Sequence, residues 1–154
     1  MHDSRTVANR FLTLAAAQGR TLTQMQLQKL VYIAHGWKLA LAGAPLIRDE
    51  VQAWQYGPVI PRLYNTVREF RDRPVSGPIP QDPNDYLDAN EDMLIQQVYG
   101  IYGKFSGPQL SQLTHATGTP WETTYKPNSF GLGISNDKIQ DHYRRLAQER
   151  TPVK

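Results

Sequence analysis

Apolar residues recur at helical spacing in the first part of the chain. Val7, Phe11 and Ala15 follow one another at intervals of four, so they lie on one face of a helix. A polar residue before this run and Gly19 after it are typical of helix ends. The pattern therefore predicts a first helix over residues 4–18.

A longer and broader apolar stripe follows in the segment TLTQMQLQKLVYIAHGWKLALAG. Thr23 and Gln26 have the spacing of a capping box, in which two side chains satisfy two free backbone donors at a helix start. The apolar residues cover more than one face, which predicts a central helix packed on several sides and ending at Gly43. The stripe consists of Leu27, Leu30, Val31, Ala34, Trp37 and Leu41, widened by Tyr32, Ile33 and Leu39.

The segment PLIRDEVQAWQY changes the period from helical to alternating. Val51 and Ala53 alternate with polar or aromatic neighbours, as in a half-buried strand. This alternation predicts a small β-hairpin near residues 45–56, with strands over 45–47 and 50–55. The polar dipeptide between the two strands is the expected turn.

The next residues, YGPVIP, predict a sharp corner from strand to helix. Gly57 adopts backbone conformations that other residues resist, and we expect Pro58 to stop the strand. Pro61 stands at a favoured first position of a helix. The chain should therefore turn from the hairpin into a helix over residues 61–70.

Three further helices are predicted after a proline-rich acidic loop over residues 72–90, which we expect to be solvated. One spans residues 91–104 with Asn90 as its cap, one starts at Ser106 with Leu110 and Leu113 facing inward, and the last spans 136–148. Together the elements predict a mainly α fold of the α+β class. We expect about six helices and the hairpin in one domain over residues 1–154, with a frayed tail from about residue 148.

Composition narrows the possible chemistry. The chain has no cysteine, which excludes disulfides, cysteine nucleophiles and thiolate metal sites. No apolar run approaches the ~18 residues of a membrane span, and the first residues do not resemble a signal peptide. We therefore expect a cytoplasmic protein with no membrane partner.

The sequence shows no pattern of a catalytic, cofactor-binding or metal-binding site. Its four histidines lack metal-ligand spacing, and it has neither a phosphate-binding loop nor a nucleophile elbow. His35 stands among apolar residues, which favours a structural histidine bonded to a backbone carbonyl. We predict no enzymatic activity, no cofactor and no metal, although a hydrolase site assembled from distant residues such as His35 and His115 stays an alternative.

Charge permits a nucleic-acid partner but gives little support for one. The formal net charge is only +3. The segment QLSQLTH resembles a recognition helix in its position after a tight turn, but it carries no lysine or arginine. Direct binding to DNA is therefore disfavoured, and a DNA-binding regulator of a mobile genetic element is kept as the alternative function.

Large aromatic residues are the more informative feature. Tryptophan and tyrosine are enriched at partner interfaces because they bury much area at a small entropy cost. The same residues also pack protein cores, so the pattern leaves both roles open. Among the three tryptophans and eight tyrosines of the chain, the candidates are Trp37, Trp54, Tyr56, Tyr64 and Trp121.

Four segments in order resemble a known family: LQKLVYIAHGWKLALAGAPLI, DEVQAWQYGPVIPRLY, LSQLTHATGTPW and GISNDKIQDHYRRL. Each is short, but their order and spacing, over about residues 24–146, are similar to the Panacea domain of SocA/GepA-like, phage-associated antitoxins. The resemblance implies a mainly helical fold with a small β element. It also implies a type II-like antitoxin that neutralises a toxin encoded nearby by direct protein–protein binding.

The resemblance also bears on partners. One branch of the family presents its toxin to a ClpXP-type protease, and toxins differ widely among members, so the identity of the toxin does not follow. Whether the protein is a homodimer stays open. The predicted partner-binding residues are Trp54, Tyr56, Arg62, Tyr64, His115 and Trp121, with a role in holding the fold as the alternative for each.

Overall fold

The computed structural model describes residues 1–150, with the backbone alone at residue 150. This part of the chain confirms the mainly α fold with a small β element. Its six α-helices are α1 (Ser4–Ala17), α2 (Gln24–Ala42), α3 (Pro61–Val67), α4 (Ala89–Tyr102), α5 (Gly107–His115) and α6 (Asn136–Arg150), and a 3-10 turn, Arg68–Phe70, extends α3. The predicted frayed tail lies mostly outside the described residues.

Helix α2 is the centre of the fold, as its broad apolar stripe predicts. It packs against α1, α4, α5 and α6. The Thr23–Gln26 capping box forms at its start, and Gly43 ends it in the left-handed conformation at φ 69°. At Gly36 the ring of Tyr143 on α6 occupies the place where a Cβ would stand, so these two helices approach closely.

Two of the predicted inward residues lie on the surface. Leu41 is 64% exposed in the last turn of α2, and Leu113 is 49% exposed on α5. Both helices bury the rest of their predicted faces, for example Leu30 and Leu110 at 0%. The spacing of apolar residues thus identifies the buried face but not how far neighbouring elements cover it.

The β element is a three-stranded antiparallel sheet in the order β2-β1-β3. Its strands are β1 (Gln52–Trp54), β2 (Gly57–Val59) and β3 (Leu132–Gly133). The hairpin lies later in the chain than the predicted strands over 45–47 and 50–55. The segment around Ile47 instead pairs with the N-terminus, where the His2 amide donates to the Leu46 carbonyl at 2.9 Å.

The expectation that Pro58 stops the strand was wrong, because Pro58 lies inside β2 opposite Ala53. β2 is an edge strand, where a residue without an amide proton is tolerated. Gly57, at φ 123°, supplies the sharp turn between β1 and β2.

The acidic loop over residues 72–88 is held to the N-terminus and not simply solvated. Asp85 accepts hydrogen bonds from the Asp3 amide at 2.8 Å and from the Thr6 hydroxyl at 2.7 Å. Its other carboxylate oxygen lies 2.6 Å from His2 Nδ1. The loop therefore closes over α1 through buried polar bonds.

Candidate functional site

A groove of about 1090 Å³ opens between the β1–β2 hairpin, the starts of α2 and α5, and the segment over residues 125–130. Its lining is mainly apolar and rich in rings, so we call it the aromatic groove. The defining residues are Met25, Trp54, Tyr56, Tyr64, Tyr125 and Phe130, with Lys29 in the floor.

Trp54 lies in the middle of this aromatic surface. Its ring meets Tyr64 edge-on with centroids 4.9 Å apart, and Phe130 at 5.2 Å. Trp54 is half-buried, whereas its neighbour Ala53 is 1% exposed. This difference follows from the alternation of a strand, which turns Ala53 to the core and Trp54 to the groove.

Tyr56 and Phe130 form the exposed rims of the groove. Tyr56 is 71% exposed at the tip of the hairpin, and Phe130 is 82% exposed. The hairpin tip is nevertheless fixed, because the Tyr56 carbonyl accepts a hydrogen bond from Ser111 on α5 at 2.9 Å. Two large exposed rings on a positioned backbone are typical of an interaction surface.

His115 and Trp121 lie behind the groove and support it. Their rings meet edge-on at 5.4 Å, and Trp121 stacks on Tyr125 at 4.8 Å. Trp121 Nε1 donates to the Trp54 carbonyl at 2.5 Å. The two residues thus link the wall formed by Tyr125 to the strand that carries Trp54.

Arg62 is not among the residues that line the groove. It is exposed on α3, and its Nε lies 3.5 Å from the carboxylate of Asp49. That carboxylate also accepts a hydrogen bond from the Ser4 hydroxyl at 2.6 Å. Of the six predicted partner-binding residues, the structure therefore brings Trp54, Tyr56 and Tyr64 together.

Lys29 is the functional candidate that the sequence reasoning missed. It is 3% exposed on α2, and its Nζ donates to the Pro58 carbonyl at 2.8 Å. Burial disfavours the ammonium form and lowers the pKa of Lys29 to about 7. A lysine inside the apolar stretch LQKLVYI was the available signal.

Gln28, the residue before Lys29, links α2 to Ile60, which directly follows β2. Gln28 accepts a hydrogen bond from the Ile60 amide at 2.9 Å and donates to the Ile60 carbonyl at 3.1 Å. With the bond from Lys29 to Pro58, three buried polar bonds hold β2 and the residue that follows it, Ile60, to α2. The hairpin that carries Trp54 and Tyr56 is therefore rigidly placed.

Residues 27–122 match the family model for the SocA-like antitoxin, Panacea domain. The chain belongs to this family. It is also 34% identical over 158 residues to "Antitoxin SocA" of Caulobacter vibrioides (strain NA1000 / CB15N). The aligned region covers 92% of this chain and 82% of the relative. No solved structure matches the chain.

The residues that match the Panacea family model form only part of the aromatic groove. They include the floor at Lys29 and the hairpin wall with Trp54, Tyr56 and Tyr64, but they end before Tyr125 and Phe130. The second wall is thus supplied by residues beyond the matched segment.

The buried histidine of the Panacea domain is structural, but its bonds differ from the prediction. His35 Nδ1 accepts from the Leu46 and Ile47 amides at 3.2 and 3.3 Å, and Nε2 lies 2.9 Å from Asn136 Oδ1. It therefore accepts from backbone amides at Nδ1 and donates from Nε2 to a side-chain amide oxygen, and not to the backbone carbonyl that was expected. Burial is the main influence on its pKa, which lies below the usual histidine value.

Residues 1–150 contain neither a cluster of metal-binding side chains nor a helix that could span a membrane. No group of three histidine or acidic side chains there is placed to hold a metal ion. None of the helices in that range combines the length and apolar character of a membrane span.

Proposed function

We propose that this protein is a cytoplasmic antitoxin that neutralises a toxin by binding it directly through the aromatic groove. The observation that carries the proposal is the pair of exposed rims, Tyr56 and Phe130, on either side of Trp54. Membership of the SocA-like antitoxin family supports the role, and the name of the Caulobacter relative agrees with it. In this proposal the protein acts by binding and not by catalysis.

The groove suits a protein partner in size and chemistry. A standard interface buries about 800 Å² on each partner, and its most important residues are aromatic anchors near the centre. Trp54 has that central place, with Tyr64 and Phe130 against its ring. Ser111 and Gln28 already hold the hairpin and the residue that follows it, so binding would cost little ordering of the backbone.

The proposal is tested by co-expression with the adjacent reading frame, scored by growth and by co-purification. We expect the neighbour alone to arrest growth and this protein to restore it in a stable complex. Tyr56→Ala and Phe130→Ala should each weaken binding by about 30-fold, as loss of an interface anchor does. Both side chains are exposed, so the melting temperature should not change.

Tyr86→Ala is the matched control, because Tyr86 is 79% exposed and is not among the residues that line the groove. It should restore growth as well as the natural protein does. A neighbour that is harmless, or a complex that tolerates both rim substitutions, would contradict the proposal. The next test would then be salt-dependent binding to the promoter of the gene.

A protease-adaptor role is a variant of the same proposal. It predicts that a ClpXP-type protease degrades the toxin faster when this protein is present. Simple neutralisation predicts protection or no change. Both variants use the same groove, so Tyr56→Ala should abolish either effect.

A further inference from the structure

The floor of the aromatic groove holds a buried lysine, Lys29, whose amine pairs with no carboxylate of residues 1–150. Lys29 is 3% exposed, and its Nζ donates a hydrogen bond to the Pro58 carbonyl. An ammonium group has three donors, so this bond satisfies one of them. Burial is the only influence on its pKa, and none of the acids in residues 1–150 contributes.

A lysine in this position is unfavourable in the free protein. Burying an ammonium group costs free energy unless an acid or several acceptors compensate. A leucine or methionine stem at this position would fill the same space without that cost. An amine that a carboxylate would hold in its charged form, at the bottom of an open apolar groove, is the chemistry of a site that receives an anion.

We propose that the aromatic groove binds a segment of the partner protein in which an aspartate or glutamate, flanked by apolar residues, pairs with Lys29. This inference rests on the proposed function and names the partner's chemistry. The flanking residues would pack on Trp54 and between the rims at Tyr56 and Phe130. The acid would then complete the hydrogen bonding of the ammonium group in a site from which the ligand excludes water.

A side-chain carboxylate fits the floor better than a chain terminus. Terminal carboxylates are captured by clusters of free backbone N–H groups. At the starts of α2 and α5, capping boxes already bond free backbone amides, Thr23 with Gln26 and Ser106 with Gln109. Pro108 in the first turn of α5 has no amide proton. The floor therefore offers one point charge, which suits a single carboxylate on a flexible stem.

Other charges at the groove do not replace Lys29. Arg71 and Asp72 lie at its lining but are exposed, so water and salt weaken their fields. Lys126 is exposed within the segment that forms the second wall. It therefore provides a matched control for a general effect of positive charge near the groove.

The experiment uses the product of the adjacent reading frame and overlapping synthetic peptides that tile it. Binding of each peptide is measured by fluorescence anisotropy with the natural protein, Lys29→Met, Lys29→Gln and Lys126→Met. We expect one acidic peptide to bind, to lose at least tenfold in affinity with both Lys29 variants, and to change less than twofold with Lys126→Met. Changing its acid to the amide should weaken binding to the natural protein but not to Lys29→Met.

The melting temperature of the Lys29 variants without partner distinguishes a binding role from a purely structural one. Lys29→Met should melt at least as high as the natural protein, because it removes a buried charge. A lower melting temperature with unchanged affinity would assign Lys29 to the fold and overturn the inference. Equal affinity of the acidic and amide peptides would overturn it as well.

Failure of the inference is distinguishable from failure of the proposed function. If the natural protein neutralises the toxin and Lys29→Met does so equally, the inference fails and the proposed function stands. If the natural protein neither binds nor neutralises the neighbour, both fail. Dimerisation of the free protein that Lys29→Met abolishes would mean that the groove binds a second copy, and it would also overturn the inference.

Discussion

Two buried groups of charged side chains are built in opposite ways. In the N-terminal cluster, which consists of His2, Asp3, Asp85 and Glu91, every member contacts a partner of suitable chemistry. In the aromatic groove, Lys29 bonds a backbone carbonyl and no acid. The N-terminal cluster therefore serves the fold, whereas the hydrogen bonding of Lys29 is incomplete until a ligand binds.

The N-terminal cluster is closed on itself. Both ring nitrogens of His2 contact carboxylates, Asp85 at 2.6 Å and Glu91 at 2.8 Å. Burial opposes ionisation of Asp3, but the hydrogen bonds from Arg5 and from the Asp82 amide outweigh it and lower its pKa to about 2. Such a network is costly to break, because each loss leaves a buried charge uncompensated.

The largest expected effect is on the closed cluster. Asp85→Ala should lower the free energy of unfolding by about 3 kcal/mol, because it leaves His2, the Asp3 amide and Thr6 without their acceptor. Urea denaturation measures the change. Asp141→Ala, at an exposed position on α6, is the control and should stay within about 0.5 kcal/mol. A loss for Asp85→Ala as small as the control would show that the cluster does not stabilise the fold.

In the groove, removal of a buried charged side chain should instead increase the free energy of unfolding. Lys29→Met should raise the free energy of unfolding at pH 6 by about 2 kcal/mol, since it removes a buried ammonium group and keeps an apolar stem. Equilibrium denaturation at pH 6 checks this result. Destabilisation would mean that the bond to Pro58 outweighs the burial cost, and the contrast between the two groups would disappear.

The pH dependence separates the two groups by the pH range in which each acts. Unfolded lysine holds its proton to about pH 10.5, whereas folded Lys29 loses it near 7, so the unfolded state binds more protons between these values. Linkage then requires stability to rise with pH, by about 1 kcal/mol per unit from pH 7 to 9. Denaturation of the natural protein and of Lys29→Met at three pH values measures this slope. An equal slope in both proteins would contradict the assignment to Lys29.

On the acid side the free energy of unfolding also rises with pH, but over a lower pH range and through carboxylates that stabilise the fold when ionised. For Asp85, burial favours the neutral form, but hydrogen bonds from Thr6 and His2 outweigh it and hold the pKa below its usual value. Asp3 and Asp85 therefore stabilise the fold fully above the unfolded value of 3.8, and this stabilisation is lost as pH falls through their folded values. We expect acid unfolding to begin below about pH 4, and Asp85→Ala to shift its midpoint upward.

Local signals in the sequence predicted most of the fold. The Thr23–Gln26 capping box, Gly43 and the apolar periods identify α2 because these features act within one or two helical turns. The start of α4 was misplaced, since Asp88 and not Asn90 is its cap and bonds reciprocally with Glu91. The hairpin was shifted because the pairing of Ile47 with His2 is set by the tertiary fold and not by alternation.

The candidate site was predictable only in part. Trp54, Tyr56 and Tyr64 stand close together in the sequence, so their common surface follows from one strand, one turn and one helix. Phe130 reaches Trp54 from far along the chain because β3 pairs with β1, and a two-residue strand leaves almost no pattern. The sequence does not identify Lys29 as a site residue, because the burial of a charged side chain depends on the distant segments that cover it.

The smallest expected effect tests the support behind the groove. Trp121→Phe removes the hydrogen bond to the Trp54 carbonyl and should cost about 1 kcal/mol of stability, because that acceptor is left without its donor. Trp54→Phe is the matched change, since its Nε1 donates to the Gln52 side chain, which water can replace. It should cost less than about 0.5 kcal/mol.

Partner binding should rank the two tryptophans in the reverse order. Trp54 contacts Tyr64 and Phe130 on the groove side, whereas Trp121 acts through Tyr125 behind it. A smaller ring at position 54 therefore removes contact area directly, and a smaller ring at 121 only loosens its support. Calorimetric titration with the toxin, set beside urea denaturation of both variants, measures the two rankings. If Trp121→Phe weakens binding more than Trp54→Phe, then the binding surface extends to His115 and Trp121, and the groove is the edge of the interface instead of its centre.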